Sequence, residues 1–165
     1  MKKNGFLKLV SLAAALLLGL PAAAQSETVV TLSGNAYVTS GQAYIDEGEC
    51  AIRNWNDKEA VISFYFRAKK SGKMNIALQA KGDSRIEVSL LGKKKKVTLD
   101  SDTLSRIELG TFKVKNPGYI KMDIRGIKIN KGSNFGSIAS VVVGGDVSPV
   151  VCVAPDFSAH FGRRG

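Results

Sequence analysis

The stretch Val61-Ile-Ser-Phe-Tyr-Phe-Arg-Ala-Lys-Lys-Ser-Gly-Lys-Met-Asn-Ile-Ala-Leu-Gln-Ala-Lys81 decides the fold class. Ile62, Phe64 and Phe66 alternate with Ser63, Tyr65 and Arg67; Met74, Ile76 and Leu78 alternate with Asn75, Ala77 and Gln79. Successive side chains of a strand point to opposite faces of a sheet, so a period of two predicts two half-buried strands. Lys70-Ser71-Gly72-Lys73 interrupts the pattern where a turn belongs, and Gly72 can take a positive φ there. The stretch therefore reads as a hairpin.

The same period continues on both sides. Ile86, Val88 and Leu90 alternate with Arg85, Glu87 and Ser89 after a turn at Lys81-Gly82-Asp83-Ser84. Gly92 and Lys93-Lys94-Lys95-Lys96 lead into Val97-Thr-Leu99, a second hairpin, and Asp100–Ser105 reads as loop. Ile107, Leu109, Phe112 and Val114 mark a strand whose alternation slips at Gly110, as at a bulge. Asn116-Pro117-Gly118 is a turn, Tyr119–Ile129 a strand, residues 130–137 a loop, and Ile138–Val143 the last clear strand. Upstream, Thr28–Leu32 and Ala36–Thr39 are short strands, and Tyr44–Asn54 is polar and irregular.

No helical period of useful length occurs after the first residues. About eight short strands predict an antiparallel β-sandwich or barrel. Its core is expected to hold Ile62, Phe64, Phe66, Ile76, Leu78, Ile86, Val88, Ile120, Ile124 and Val141.

Residues 1–24 read as a cleavable signal peptide. Lys2, Lys3 and Lys8 form a basic start, Leu9–Leu20 is apolar, and Pro21-Ala-Ala-Ala24 offers a small-residue cleavage site. The apolar run is too short for a membrane span. Export to the periplasm or beyond is expected. Cleavage would leave 21 basic and 14 acidic residues, a net charge of +7. That balance suits anionic glycans or solubility rather than nucleic acid. Residues 25–147 form the expected domain, and 148–165 read as a linker or the start of a further domain.

The inventory of reactive groups is thin. His160 is the only histidine and lies in the tail, so neither a catalytic triad nor a zinc site is expected. Export permits a Cys50–Cys152 disulfide, which the sequence neither demands nor forbids. Asp46, Glu47 and Glu49 surround Gly48, and their oxygens suit a structural Ca²⁺ site, although the spacing follows no fixed motif. These acids, or Asp100 and Asp102, could instead form a glycosidase pair, the least favoured reading.

Trp55 is the candidate of most interest. It lies among Asn54, Asn56 and Asp57, just before the central strands. A sugar presents an apolar face to an aromatic ring and hydroxyls to amides and carboxylates. Asn134-Phe135 has the same mixed character, and Tyr37 is a further aromatic. The competing reading makes Trp55 a cap on the end of the sandwich. Lys93–Lys96 invites an anionic partner, but lysine on an edge strand also blocks edge-to-edge association.

Gly34-Asn-Ala-Tyr37, Ile52-Arg-Asn-Trp55, Phe64-Tyr-Phe66 with Ser71-Gly72, and Pro117-Gly-Tyr119 together resemble an uncharacterised domain of secreted bacterial proteins. That domain stands before a larger domain of unknown function, whose opening the tail Phe161-Gly-Arg-Arg-Gly165 resembles. More distantly, the layout is similar to jelly-roll carbohydrate-binding modules. That resemblance implies sugar contacts at Trp55 and Asn134. The combined expectation is an exported, all-β, jelly-roll-like antiparallel β-sandwich acting as a non-catalytic glycan-binding accessory module. Its expected partners are a polysaccharide or oligosaccharide and a following domain, with no resident cofactor. The alternative is a structural domain that packs against that following domain and binds no ligand.

Overall fold

The computed structural model of the chain describes residues 26–154. Nine strands occur among them: β1 (Thr28–Thr31), β2 (Ala36–Ser40), β3 (Tyr44–Asp46), β4 (Ala51–Arg53), β5 (Val61–Ala68), β6 (Gly72–Leu90), β7 (Lys93–Val114), β8 (Gly118–Ile129) and β9 (Ser137–Gly145). No helix occurs among the described residues, so none is long and apolar enough to cross a membrane. The expected signal peptide at 1–24 lies outside the described residues.

All pairings are antiparallel, and one long bent ribbon creates the two layers. β6 and β7 pair along nearly their whole length, from Gly72–Val114 to Leu90–Lys93. The first half of β6 also pairs with β9, and β9 with β1; the second half pairs with β8, β8 with β5, and β5 with β2. The ribbon thus contributes one half to each layer of a jelly roll. β3 and β4 form a separate small hairpin. Leu91 and Gly92, with φ of 49° and 74°, make the two-residue turn at the ribbon's tip.

The burial expectations hold residue by residue. All ten residues assigned to the core are buried, Ile62, Phe64, Ile76, Leu78, Ile86, Ile124 and Val141 completely. The slip at Gly110 is a bulge: Ile76 faces Gly110 while Ala77 faces Glu108. Lys95, on the rim of the second layer, reaches across and donates its Nζ to the Leu109 carbonyl at 2.6 Å.

Three connectivity expectations are corrected. β5 and β6 are not a hairpin: the turn after Ala68 carries the chain from one layer to the other, and each strand pairs elsewhere. Alternation specifies which face is buried, not which strand lies alongside. Lys81–Ser84 is no turn and Asp100–Ser105 no loop, because β6 and β7 run through both. Register shifts between Ala80 and Gly82, where the ribbon bends between layers. Asp100, Asp102 and Thr103 there are exposed, which gave the segment its loop-like composition.

The segment after β9 is attached to the sandwich as far as it is described. Val147 and Val150 are buried, and Val151 exchanges two backbone hydrogen bonds of 2.8 Å with Arg67. Asn35 is the clamp: its Oδ1 accepts from Val153 N at 2.7 Å and its Nδ2 donates to Val153 O at 3.0 Å. Residues 155–165 lie outside the described residues.

Candidate functional site

The loop of residues 54–57 and the loop of residues 130–136 meet at one end of the sandwich. Phe135 N donates to the Trp55 carbonyl at 2.8 Å. The two rings pack at 5.4 Å between centroids with a tilt of 55°. Both side chains are completely buried. Gly126 of β8 leaves the room that the Phe135 ring occupies, because a Cβ at Gly126 would run into it. Ser84 Oγ donates to the Phe135 carbonyl, and Ile52 N donates to Ser137 Oγ at 2.9 Å. Trp55 Nε1 is buried without a hydrogen-bond partner among the described residues.

This geometry corrects the sequence expectation for the aromatics. Trp55 and Phe135 cannot stack on a ligand from solvent; they hold the two loops together from inside. Tyr37 is exposed on β2 and belongs elsewhere, with its ring 6.0 Å from that of Tyr65. Tyr37, Tyr65, Arg67 and the strongly exposed Tyr119 border a second groove of about 320 Å³, closed on one side by Val151–Val153. The Arg67 guanidinium lies 5.8 Å from the Tyr119 ring centroid.

What the joined loops present to solvent is polar. Asn54 and Asn134 line one open cleft of about 380 Å³ together with Arg53, Lys81, Asp102 and Ser137. Asn54 has a φ of 54°, a left-handed conformation that asparagine tolerates. Asn134 is exposed, and its Nδ2 donates to Ser133 Oγ at 3.2 Å. Asn56 is exposed but does not line the cleft. Amides, a carboxylate, two cations and a hydroxyl give the cleft both donors and acceptors, which suits a polyhydroxylated ligand. An adjoining open hollow is bordered by Asp83, Asp102, Lys131 and Asn134. Lys81 lay in a segment read as a turn, and Asp102 was singled out only as half of a carboxylate pair with Asp100, so neither was placed beside Asn54 and Asn134.

The acidic cluster is organised around a cation of the chain itself. Arg53 Nε donates to Asp46 Oδ2 at 2.9 Å, and Arg53 Nη2 donates to Glu49 Oε2. The Arg53 hydrogen bond holds the Asp46 carboxyl below its ordinary range, aided by the backbone N–H of Glu49. Glu47 is exposed. Among the described residues, no group of three or more His, Cys, Asp or Glu side chains is gathered to hold a metal ion. The Asp46–Glu47–Glu49 loop is a salt-bridged hairpin turn between β3 and β4.

The sequence left a Cys50–Cys152 disulfide open. Cys50 and Cys152 are both free. Cys50 sits in the β3–β4 turn with a φ of 48°, and Cys152 lies beside β1, its Sγ 3.9 Å from the Val29 carbonyl. Burial pushes the Cys152 thiol up from its ordinary pKa.

The fold is shared with carbohydrate-binding modules. The chain is similar to a family 35 carbohydrate-binding module from Clostridium thermocellum, with 12% identity and a TM-score of 0.56 over 72% of this chain and 98% of that one. It is similar to the CBM35 of Abf62 from Cellvibrio japonicus, with 13% identity and a TM-score of 0.57 over 78% of this chain and 99% of that one. A GH26-CBM35 β-(1,4)-mannanase from Podospora anserina aligns at 15% identity and a TM-score of 0.55, over 72% of this chain but 28% of the enzyme. No curated protein matches the chain in sequence. Residues 30–148, which include both loops of the cleft, match the family described as a domain of unknown function, DUF5077, and the chain belongs to that family.

Proposed function

We propose that this protein is an exported, non-catalytic glycan-binding module that takes a polysaccharide or oligosaccharide in the loop-end cleft. One observation carries the reading: Asn54 and Asn134, 80 positions apart, converge with Arg53, Lys81 and Asp102 on one open cleft. Their loops are fixed to each other by the buried Trp55–Phe135 pair, so the polar groups are held in place before a ligand arrives. Preorganisation lowers the ordering cost of binding. Sharing a fold with modules named for carbohydrate binding supports the reading as analogy, since one fold hosts many functions. The 28% alignment to the mannanase supports an accessory role beside a separate domain.

The rival reading is a structural domain without a ligand, and buried Trp55 is the observation in its favour. Affinity electrophoresis against soluble neutral and acidic polysaccharides decides between them. Retardation that is lost in an Asn54→Ala/Asn134→Ala variant with unchanged circular dichroism is the expected result. No retardation on any polysaccharide would leave the structural reading.

A further inference from the structure

The two layers carry different charge on their solvent faces. On the first layer, Arg106 is taken up by two carboxylates: Glu27 Oε1 lies 2.7 Å from its Nη2, and Glu108 Oε1 lies 2.5 Å from its Nε. On the second layer, the strand register collects Lys94 and Lys96 of β7, Arg85 of β6, Lys121, Arg125 and Lys128 of β8, and Arg67 of β5 on the outward side. All seven are exposed. Their company on the same face is Glu87 and Asp123, until Asp83 and Asp100 face each other at the loop end.

Those carboxylates do not neutralise the face. Glu87 lies between Lys96 and Arg125 in the register and bonds Lys94 at 3.3 Å. Asp123 is engaged by Lys121 at 3.2 Å and by the Ser63 hydroxyl at 2.6 Å. Arg85 stands directly opposite Lys128, a like-charge cross-strand pair. Among the described residues, no carboxylate lies within ion-pair distance of Arg85, Lys96, Arg125 or Lys128. Like charges placed opposite each other across strands destabilise a sheet, and a polyanion laid over them relieves the repulsion. Edge protection accounts for lysine on β7, an edge strand, but not for cations on β8, an interior strand of the layer.

We propose that this face, β7–β6–β8–β5–β2, is a second glycan-binding surface and that its ligand is an anionic polysaccharide bearing carboxylate or sulfate groups. This rests on the glycan-binding reading and adds both a site and a ligand class to it. The aromatic end of the same face, Tyr37, Tyr65 and Tyr119, supplies ring surface for sugar C–H groups beside the cations. The exposed Tyr37 and Tyr119 and the half-buried Tyr65, set among cations, suit an acidic sugar chain, which has both apolar ring faces and regular negative charge.

Retention of the full chain on agarose-coupled polygalacturonate, dextran sulfate, neutral galactomannan and duplex DNA tests the proposal. Retention on one or both acidic polysaccharides should exceed that on galactomannan and DNA and should fall as salt rises. The two acidic resins distinguish carboxylate from sulfate recognition. Arg85→Gln/Lys128→Gln should weaken retention roughly fivefold to tenfold, as for the loss of two partly exposed charge contacts. Lys73→Gln/Lys113→Gln, which removes a matching like-charge pair from the first layer, should leave it unchanged. Equal loss in both double variants, or equal retention on DNA, overturns the proposal in favour of non-specific charge. Galactomannan bound in preference, or acidic binding abolished only by Asn54→Ala/Asn134→Ala, overturns it while the loop-cleft reading stands. No retention on any polysaccharide overturns both.

Discussion

The molecule keeps two groups of aromatic residues that differ in burial and in what their rings face. Trp55 and Phe135 are completely buried, tilted against each other, and joined by a backbone hydrogen bond between their loops. Tyr37, Tyr65 and Tyr119 lie on the outer face of a sheet, with Tyr119 82% exposed and facing an arginine. The first group joins the two loops that border the polar cleft without lining it. The second group borders an open groove on the sheet's outer face. An aromatic residue in a polar loop is therefore no guide to a stacking platform until its exposure is known.

The sharpest way to break this contrast is Trp55→Ala. Removing a completely buried indole should cost about 3–5 kcal/mol, readable in chemical denaturation, and should loosen both loops. A loss below about 1 kcal/mol would mean that Trp55 is not the internal post described above. Gly126→Ala comes next. The added methyl displaces the Phe135 ring, and such overpacking costs about 1–3 kcal/mol, visible as a lower midpoint with the same slope. On the outer face, Tyr119→Ala should change stability by no more than about 0.5 kcal/mol while reducing retention on an acidic polysaccharide.

The smallest effect concerns acid. Arg106 hydrogen-bonds Glu27 and holds its carboxyl below the ordinary range. The folded chain then binds that proton more weakly than the unfolded chain, so the contribution is present above the ordinary carboxylate range. It disappears as pH falls through the lowered value. Arg106→Gln should flatten this part of a stability–pH curve. The Trp55–Phe135 contact holds no titratable side chain and should respond to pH only through the unfolding of the whole domain.

Burial was legible in the sequence because period-two alternation reports directly on the two faces of a strand. Ile62, Phe64 and Phe66, or Ile120 and Ile124, need no partner to reveal which way they point. Pairing was not legible, since β5 and β6 alternate equally well whether they face each other or lie in opposite layers. The polar run Asp100–Thr103 was misread because a ribbon bending between layers exposes both its faces. The candidate site was half legible. Asn54 and Asn134 line one cleft, yet Trp55 and Phe135 turn inward, since Gly126 leaves a socket that local sequence does not disclose. Asn35 was legible only as part of a resemblance, although its side chain clasps Val153 from 118 positions away.

The bent β6–β7 ribbon has a consequence for how the domain comes apart. Each layer owns half of the same two strands, so neither layer can be peeled away with its own complete set of hydrogen bonds. Opening at either end must tear or strain a ladder that the other end still needs. The two layers should therefore melt as one cooperative unit, and amide exchange along β6 should be slow and uniform on both sides of Gly82.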